Sequence, residues 1–186
     1  MHAENSMKKC IKDALLRLMK DRSVEQIPAV ELAKEAGVSR ASFYRYYDCI
    51  DDVLVEMEDD IIEGMRDCSR YYISQPFDIN KLDEPYPAFL AITEYIYKNK
   101  EYFLTLTGVH GDSRFVRKWH SLLKEFYAGK LSFEGIQVQE LDFYIEFVTG
   151  GNDSTLHYWL EKRPDLSVEK ITLITQRLLF APFAPK

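Results

Sequence analysis

The sequence is poor in the residues that usually announce chemistry. It holds three cysteines, Cys10, Cys49 and Cys68, with no Cys-x-x-Cys spacing. An odd number of widely spaced thiols argues against a disulfide framework and fits free thiols in a reducing cytosol. Histidine is as sparse, with His2, His110, His120 and His157 scattered along the chain. There is no His-Glu-x-x-His, no Gly-Lys-Ser/Thr, no Gly-x-Gly-x-x-Gly and no Gly-x-Ser-x-Gly. Metal-dependent hydrolysis, nucleotide hydrolysis, dinucleotide binding and serine-hydrolase chemistry each lack their scaffold. Ser113 and Ser121 lie near His110 and His120, but no nucleophile elbow precedes either serine. The expectation is no catalytic residue, no metal ligand and no cofactor. No apolar run approaches the ~18 residues that span a membrane. The opening MHAENSMKKC lacks the apolar core of a secretory signal, so a cytoplasmic protein is expected.

What the chain does have is helical periodicity, plentiful aromatics and an uneven charge. Twelve tyrosines, eleven phenylalanines and two tryptophans stand in 186 residues of net charge −6. Residues 1–50 carry nine Lys/Arg against seven Asp/Glu, whereas the remainder carries fifteen against twenty-three. A mildly basic N-terminal piece on an acidic body fits a small nucleic-acid-reading head with a body that avoids phosphates. No repeats, low-complexity tracts or strand patterns appear. The periodicity predicts helices over Ser6–Lys20, Ile50–Tyr72, Ala88–Lys98, Glu101–Thr107, about 113–127, Gln137–Leu160 and from Val168. Pro76, Pro85 and Pro87 mark a loop, Gly129–Gly135 another, and Pro182 and Pro185 the end of the last helix. Lys8, Lys9 and Lys12 near the first helix start are placed either to approach a phosphate backbone or to form a solvated face. The acidic face of the Ile50 helix, from Asp51 to Glu63, reads as solvated.

The informative stretch is IPAVELAKEAGVSRASFYRYYDCIDDVL, residues 27–54. Helix formers lead to Gly37, which supplies the positive φ that ends a helix. Val38 plugs the angle between helices, and Ser39 is a strong N-cap. Phe43, Tyr47 and Ile50 recur on one helical face, with Arg40, Ser42, Tyr44, Arg45 and Tyr46 opposite. A helix, a glycine turn and a second helix with an Arg/Ser/Tyr face is the helix-turn-helix layout that reads a DNA major groove. The segment AGVSRASFYRYYDCIDDVL also resembles the DNA-binding segment of TetR-family transcription regulators. The match runs through Ala36, Gly37, Val38, Ser39, Phe43, Tyr44, Tyr46 and Leu54, with Ser42 for Thr and Tyr47 for Phe. Ile27, Leu32 and Ala33 match the family's preceding helix.

The resemblance implies an all-α protein: a helix-turn-helix head over 1–49 and a helical effector-binding and dimerisation body over 50–186. It implies a cytoplasmic homodimer that binds a double-stranded DNA operator through Ser39, Arg40, Ala41, Ser42, Tyr44, Arg45 and Tyr46. It also implies control by a small, largely apolar effector or by a protein partner. Effector pockets are mostly apolar with a few orienting polar groups. Tyr95, Tyr102, Phe103, His110, Phe115, Trp119 and Phe147 are the residues expected to line one. The last two helices, apolar on more than one stripe, are expected to pair two copies. Two positions depart from the family: Pro28 where a hydroxyl is common, and Ile50 where a lysine is common. Both remove phosphate contacts. They keep a second reading open, a helical ligand- or protein-interaction module whose head no longer binds DNA tightly.

Overall fold

The structure, a computed structural model, describes residues 2–73, 75, 78, 81–133 and 139–180. Among them the regular structure is helical, with no strand. The helices are α1 (His2–Met19), α2 (Ala29–Glu35), α3 (Arg40–Tyr46), α4 (Ile50–Ile73), α5 (Pro87–Lys98), α6 (Lys100–Thr107), α7 (Ser113–Phe133), α8 (Leu141–Lys162) and α9 (Val168–Phe180). A turn of 3-10 helix, Val24–Gln26, precedes α2. The chain forms two compact units. Unit 1 is Met1–Ile61 with Glu101–Val116, and unit 2 is Ile62–Lys100 with Arg117–Lys186. Unit 1 thus takes in all of the expected head, the first half of α4, and a segment that the sequence reading had placed in the body.

Unit 1 is built on the apolar stripes of its helices. Ile11, Ala14 and Leu15 of α1, Leu32 and Ala33 of α2, Phe43 of α3, and Val53 and Leu54 of α4 are buried. Leu16, Met19, Ile27, Tyr47 and Met57 are buried too, as are Phe103, Leu106 and Phe115 of the 101–116 segment, while Leu18 and Val38 are half-buried. Gly37 has φ +68°, a conformation that costs a Cβ-bearing residue, and it lets α2 turn into α3. The Ser39 hydroxyl accepts from the Ser42 amide at 3.0 Å, so the expected N-cap is present. Pro28 stands before α2, where its missing N–H costs nothing, and its carbonyl accepts from Leu32 N at 3.1 Å. Asp52 closes the next turn by accepting from the amides of Asp48 and Cys49 at 3.1 and 3.0 Å.

In unit 2, α9 packs against α5 and α8. Phe89 is the hub: its ring lies 5.1 Å from Phe126, 5.7 Å from Phe180 and 5.6 Å from Tyr86. Gly64 of α4 is required by close approach, because a Cβ there would lie 1.9 Å from the Tyr95 hydroxyl of α5. Gln176, fully buried, accepts from the Tyr86 amide at 2.7 Å and donates to the Glu84 carbonyl at 2.9 Å. These bonds seat the N-terminal end of α5, with Pro87 in its first turn.

Helix α7 runs to Phe133 instead of ending near Tyr127 in a loop at Gly129. Leu131 and Lys130 are buried in that last stretch, and Lys130 Nζ donates to the Gln75 carbonyl at 2.6 Å and lies over the Tyr86 ring. These contacts outweigh the ~1 kcal/mol helix cost of one glycine. The expected start of α8 at Gln137, and the expected breaks at Pro76, Gly135, Pro182 and Pro185, lie outside the described residues. Phe43 is a large side chain of the unit 1 core with no solvent exposure. Phe43→Ala is expected to destabilise unit 1 by about 3–5 kcal/mol, measured by chemical denaturation, while the exposed neighbour Arg45→Ala changes stability by less than about 0.5 kcal/mol.

Candidate functional site

The burial of Phe43, which meets Tyr44 edge-on at 5.4 Å and Tyr47 at 6.1 Å, sets which face of α3 is outward. Arg40, Ala41, Tyr44 and Arg45 are exposed, and Ser42 and Tyr46 are half-buried. Arg40 lies over the Tyr44 ring, 5.5 Å from its centre, which limits the arginine's freedom without neutralising it. Ser39 and Ser42 hydroxyls are bonded to each other at 2.9 Å, so both are engaged in the cap. The seven expected DNA-contact residues therefore form one contiguous segment at the N-terminal end of α3 and along its outer face. The arrangement can place a guanidinium, a methyl group and two hydroxyls at base edges, with a second guanidinium one turn away for a phosphate.

Most other cations of the head are engaged. Lys8 meets Glu56 at 2.9 Å, Lys12 meets Glu56 at 2.8 Å and also Asp60, Arg17 meets Glu35 at 2.7 Å, and Lys20 and Arg22 pair with Glu101 and Glu31. So two of the lysines considered as phosphate contacts tie α1 to α4, and so does part of the acidic face read as solvated. Arg40 and Arg45 have no carboxylate partner among the described residues, which leaves their charge available to a ligand. Burial pushes the Glu56 carboxyl up, but the bonds from Lys12 and Lys8 outweigh it and hold it below the usual carboxylate range. For Lys12, burial lowers the value and the Asp60 and Glu56 bonds more than restore it. Arg114 at the start of α7 grips Asp51 and Asp112 in unit 1. Its bond depresses Asp51 directly; in Asp112 it overcomes burial, with the same result.

The seven residues expected to line an effector pocket divide between the units. Tyr102, Phe103, His110 and Phe115 lie in unit 1, and Tyr95, Trp119 and Phe147 in unit 2. Phe103 and Phe115 are buried and meet edge to face at 6.3 Å. Tyr102 donates to Asp13, and with burial this raises its hydroxyl pKa far above the usual tyrosine value. His110 is half-buried. In unit 2, Tyr95 lies against Gly64, and Trp119 is fully buried with its indole N–H donating to Asp153 at 3.1 Å. Phe147 points outward, 78 % exposed. Trp119 does line a cavity of about 110 Å³ in unit 2, with Ile92, Leu122, Leu123 and Phe126 as apolar wall and Arg66, Ser69 and Glu125 as polar groups. Arg66 donates to Glu125 at 3.2 Å. These three polar residues escaped the sequence reading. Ser69 is buried but Arg66 is half-buried and Glu125 exposed, so in sequence two of the three read as an ordinary solvated face.

Comparison with known proteins fits this geometry. Residues 11–57 match the family model for bacterial regulatory proteins of the tetR family, and residues 83–181 match a TetR C-terminal model described as the transcriptional regulator C-terminal region. The second match alone spans more than half of the chain. The chain belongs to the TetR family. Both matching models describe parts of transcriptional regulators. The chain is 24% identical over 170 residues to the uncharacterized HTH-type transcriptional regulator YxbF of Bacillus subtilis, a match that covers 87% of the chain and 42% of the relative. The chain therefore spans less than half the length of that curated relative. Among solved structures it is similar to the FadR regulator of Bacillus halodurans (TM-score 0.69, 15% identity, 97% of each chain). It is also similar to a TetR regulator of Streptococcus agalactiae (TM-score 0.68, 20% identity, 96% of each chain). A further likeness is to the TetR repressor FadR of Thermus thermophilus in complex with lauroyl-CoA (TM-score 0.59, 20% identity, 96% of each chain). At these identities the likeness concerns the fold.

The paired charges of unit 1 give it a signed pH dependence. A carboxylate lowered in the fold stabilises above its ordinary pKa, and that contribution is lost as pH falls through the lowered value; a raised lysine stabilises below its ordinary pKa and loses that contribution as pH rises through the raised one. Stability should therefore fall in acid below about pH 4.3 as Glu56 and Asp51 take up protons. Glu56→Gln is expected to lower stability at neutral pH and to flatten the acid limb, read by urea midpoints from about pH 7 down to about pH 3.

Proposed function

We propose that this TetR-family regulator binds a DNA operator as a cytoplasmic homodimer through the outer face of α3, and that a small ligand in its body controls the binding. The observation that carries the reading is the capped α3, with its apolar side buried and its two carboxylate-free arginines outward, in a chain of this family. The recognition segment is 39–46, in a head over 1–49 carried on a body over 50–186. In such a pair the two-fold axis sets two α3 helices against half-sites about one DNA turn, ~34 Å, apart. Arg40 reads a base, with Ala41 and the Ser39–Ser42 pair beside it. Tyr44, Arg45 and Tyr46 hold the helix to phosphates and sugars. Because five head cations are already paired, few phosphates are neutralised, and the salt slope should be shallow for a DNA-binding protein.

Selection of bound duplexes, followed by titration of the best site, tests this. Arg40→Ala should relax base preference at one position at a cost of about 1–3 kcal/mol. Arg45→Ala should weaken all sequences alike and reduce the salt slope by about 1. No selected sequence, together with variants that bind as wild type, refutes the assignment and favours the reading in which the head has lost DNA.

For the effector, the supporting observation is the cavity beside Trp119. Its ~110 Å³ is less than the ~150 Å³ cavity that takes up benzene, so it suits a compact, largely apolar ligand, and an aromatic ring enters only with a small parting of the walls. Arg66, Ser69 and Glu125 offer the orienting polar contacts. The neighbour FadR binds lauroyl-CoA, a far larger molecule, and a ligand of that size would need the walls to part. Small aromatic probes are expected to quench Trp119 fluorescence and raise the melting temperature by mass action. Leu122→Phe, which fills the cavity, should abolish both responses and leave DNA affinity unchanged. Probe responses that survive Leu122→Phe place the ligand elsewhere.

A further inference from the structure

The cavity beside Trp119 holds polar groups whose hydrogen bonding is incomplete. Its wall is apolar at Ile92, Trp119, Leu122 and Phe126, and α4 brings Arg66 and Ser69 to it. Ser69 is buried, and its hydroxyl hydrogen is used within its own helix: Oγ donates to the Met65 carbonyl at 3.0 Å and lies 3.2 Å from the Arg66 carbonyl. A hydroxyl oxygen also has two lone pairs, and among the described residues no donor meets those of Ser69. Arg66 has the opposite deficit. Its Nη1 donates to Glu125 at 3.2 Å, but Nε is buried and has no hydrogen-bond partner among the described residues. Glu63 Oε1 lies 3.4 Å from Nε without the alignment a bond needs. A buried N–H without an acceptor carries a desolvation cost that a ligand oxygen would offset.

We propose that the ligand of this cavity is a small neutral alcohol, whose hydroxyl donates to Ser69 Oγ and accepts from Arg66 Nε while its alkyl body lies against Trp119 and Leu122. The inference rests on the effector reading above and gives that effector its functional group. Positions three apart on a helix have Cβ atoms about 5–6 Å apart, a span that one oxygen bonded to both side chains can bridge. A hydroxyl both donates and accepts, so it meets both deficits. A carbonyl meets only that of Arg66, and a hydrocarbon meets neither. An anion is disfavoured, because Glu63 and Glu125 already set two carboxylates against one guanidinium. Volume sets the size of the body. Benzene, with six carbons, takes a cavity of about 150 Å³, so ~110 Å³ corresponds to about four or five heavy atoms, the scale of a butanol. A molecule of that size enters without parting the walls.

Titration of the full chain with isobutanol, butanone and isopentane, probes of equal heavy-atom count, tests the functional group, with Kd read from protein-observed NMR. Isobutanol donates and accepts, butanone only accepts, and isopentane does neither. Ser69→Ala should raise the Kd of isobutanol about three- to tenfold and leave the other two unchanged. Arg66→Met should raise the Kd of isobutanol and of butanone by a like factor and leave isopentane unchanged. Isopentane is the control for damage to the cavity itself. Both variants should keep the wild-type far-UV circular dichroism spectrum, since alanine favours a helix and the ion pairs of Arg66 are partly exposed. Leu122→Phe should abolish binding of all three probes. Binding of all three with Kd values that neither Ser69→Ala nor Arg66→Met changes selectively overturns the alcohol and leaves the cavity reading standing. No binding of any probe to the wild-type chain, or binding that survives Leu122→Phe, overturns the cavity reading and the alcohol with it.

Discussion

The burial of Phe43 is the constraint from which the recognition surface follows. A seven-residue helix has little stability of its own and holds its position by packing one face. With Phe43 inside, Arg40, Ala41, Tyr44 and Arg45 have no choice but to face out. The Ser39 cap fixes the first turn, and the left-handed Gly37 fixes the angle at which the chain enters it. None of these residues needs to touch DNA for the surface to depend on it. The surface is set by a ring with no solvent exposure.

The second constraint is electrostatic. Five cations of the head are held in ion pairs, three of them with carboxylates beyond it, Glu56, Asp60 and Glu101. Individually exposed pairs contribute little to stability. Their consequence here lies in what they leave over: among the described residues, the two arginines of α3 meet no carboxylate. The Lys8, Lys12 and Glu56 cluster fastens α1 to α4, and Arg114 fastens the segment after α6 to the start of α4, all inside one compact unit. Helices α1, α2 and α3 and residues 101–116 lie in the same compact unit.

Unit 2 shows why aromatic residues on a helix do not declare their use. Trp119 is core, and its indole N–H is satisfied by Asp153. Phe147, equally apolar, is in solvent. Gly64 and Gly151 are both helix-interior glycines, yet one is hemmed in by Tyr95 and the other faces open space. The first is required by packing within the chain; the second is not.

What the sequence determined by itself was local. Gly37, the Ser39 cap, the Phe43 and Tyr47 face and the absence of any strand pattern were all legible, because each depends on neighbours within a turn or two. The all-α architecture and the family likeness followed from them. The end of α7 was not legible, since Lys130 and Leu131 keep the helix going through contacts with Gln75 and the unit 2 core, far along the chain. Nor was the division of the chain into units, which returns 101–116 to the N-terminal piece. The candidate ligand residues were legible as aromatic, but their places were not. Periodicity tells which side of a helix is apolar; only the packing of the other helices decides whether that side becomes core, cavity wall or exposed face.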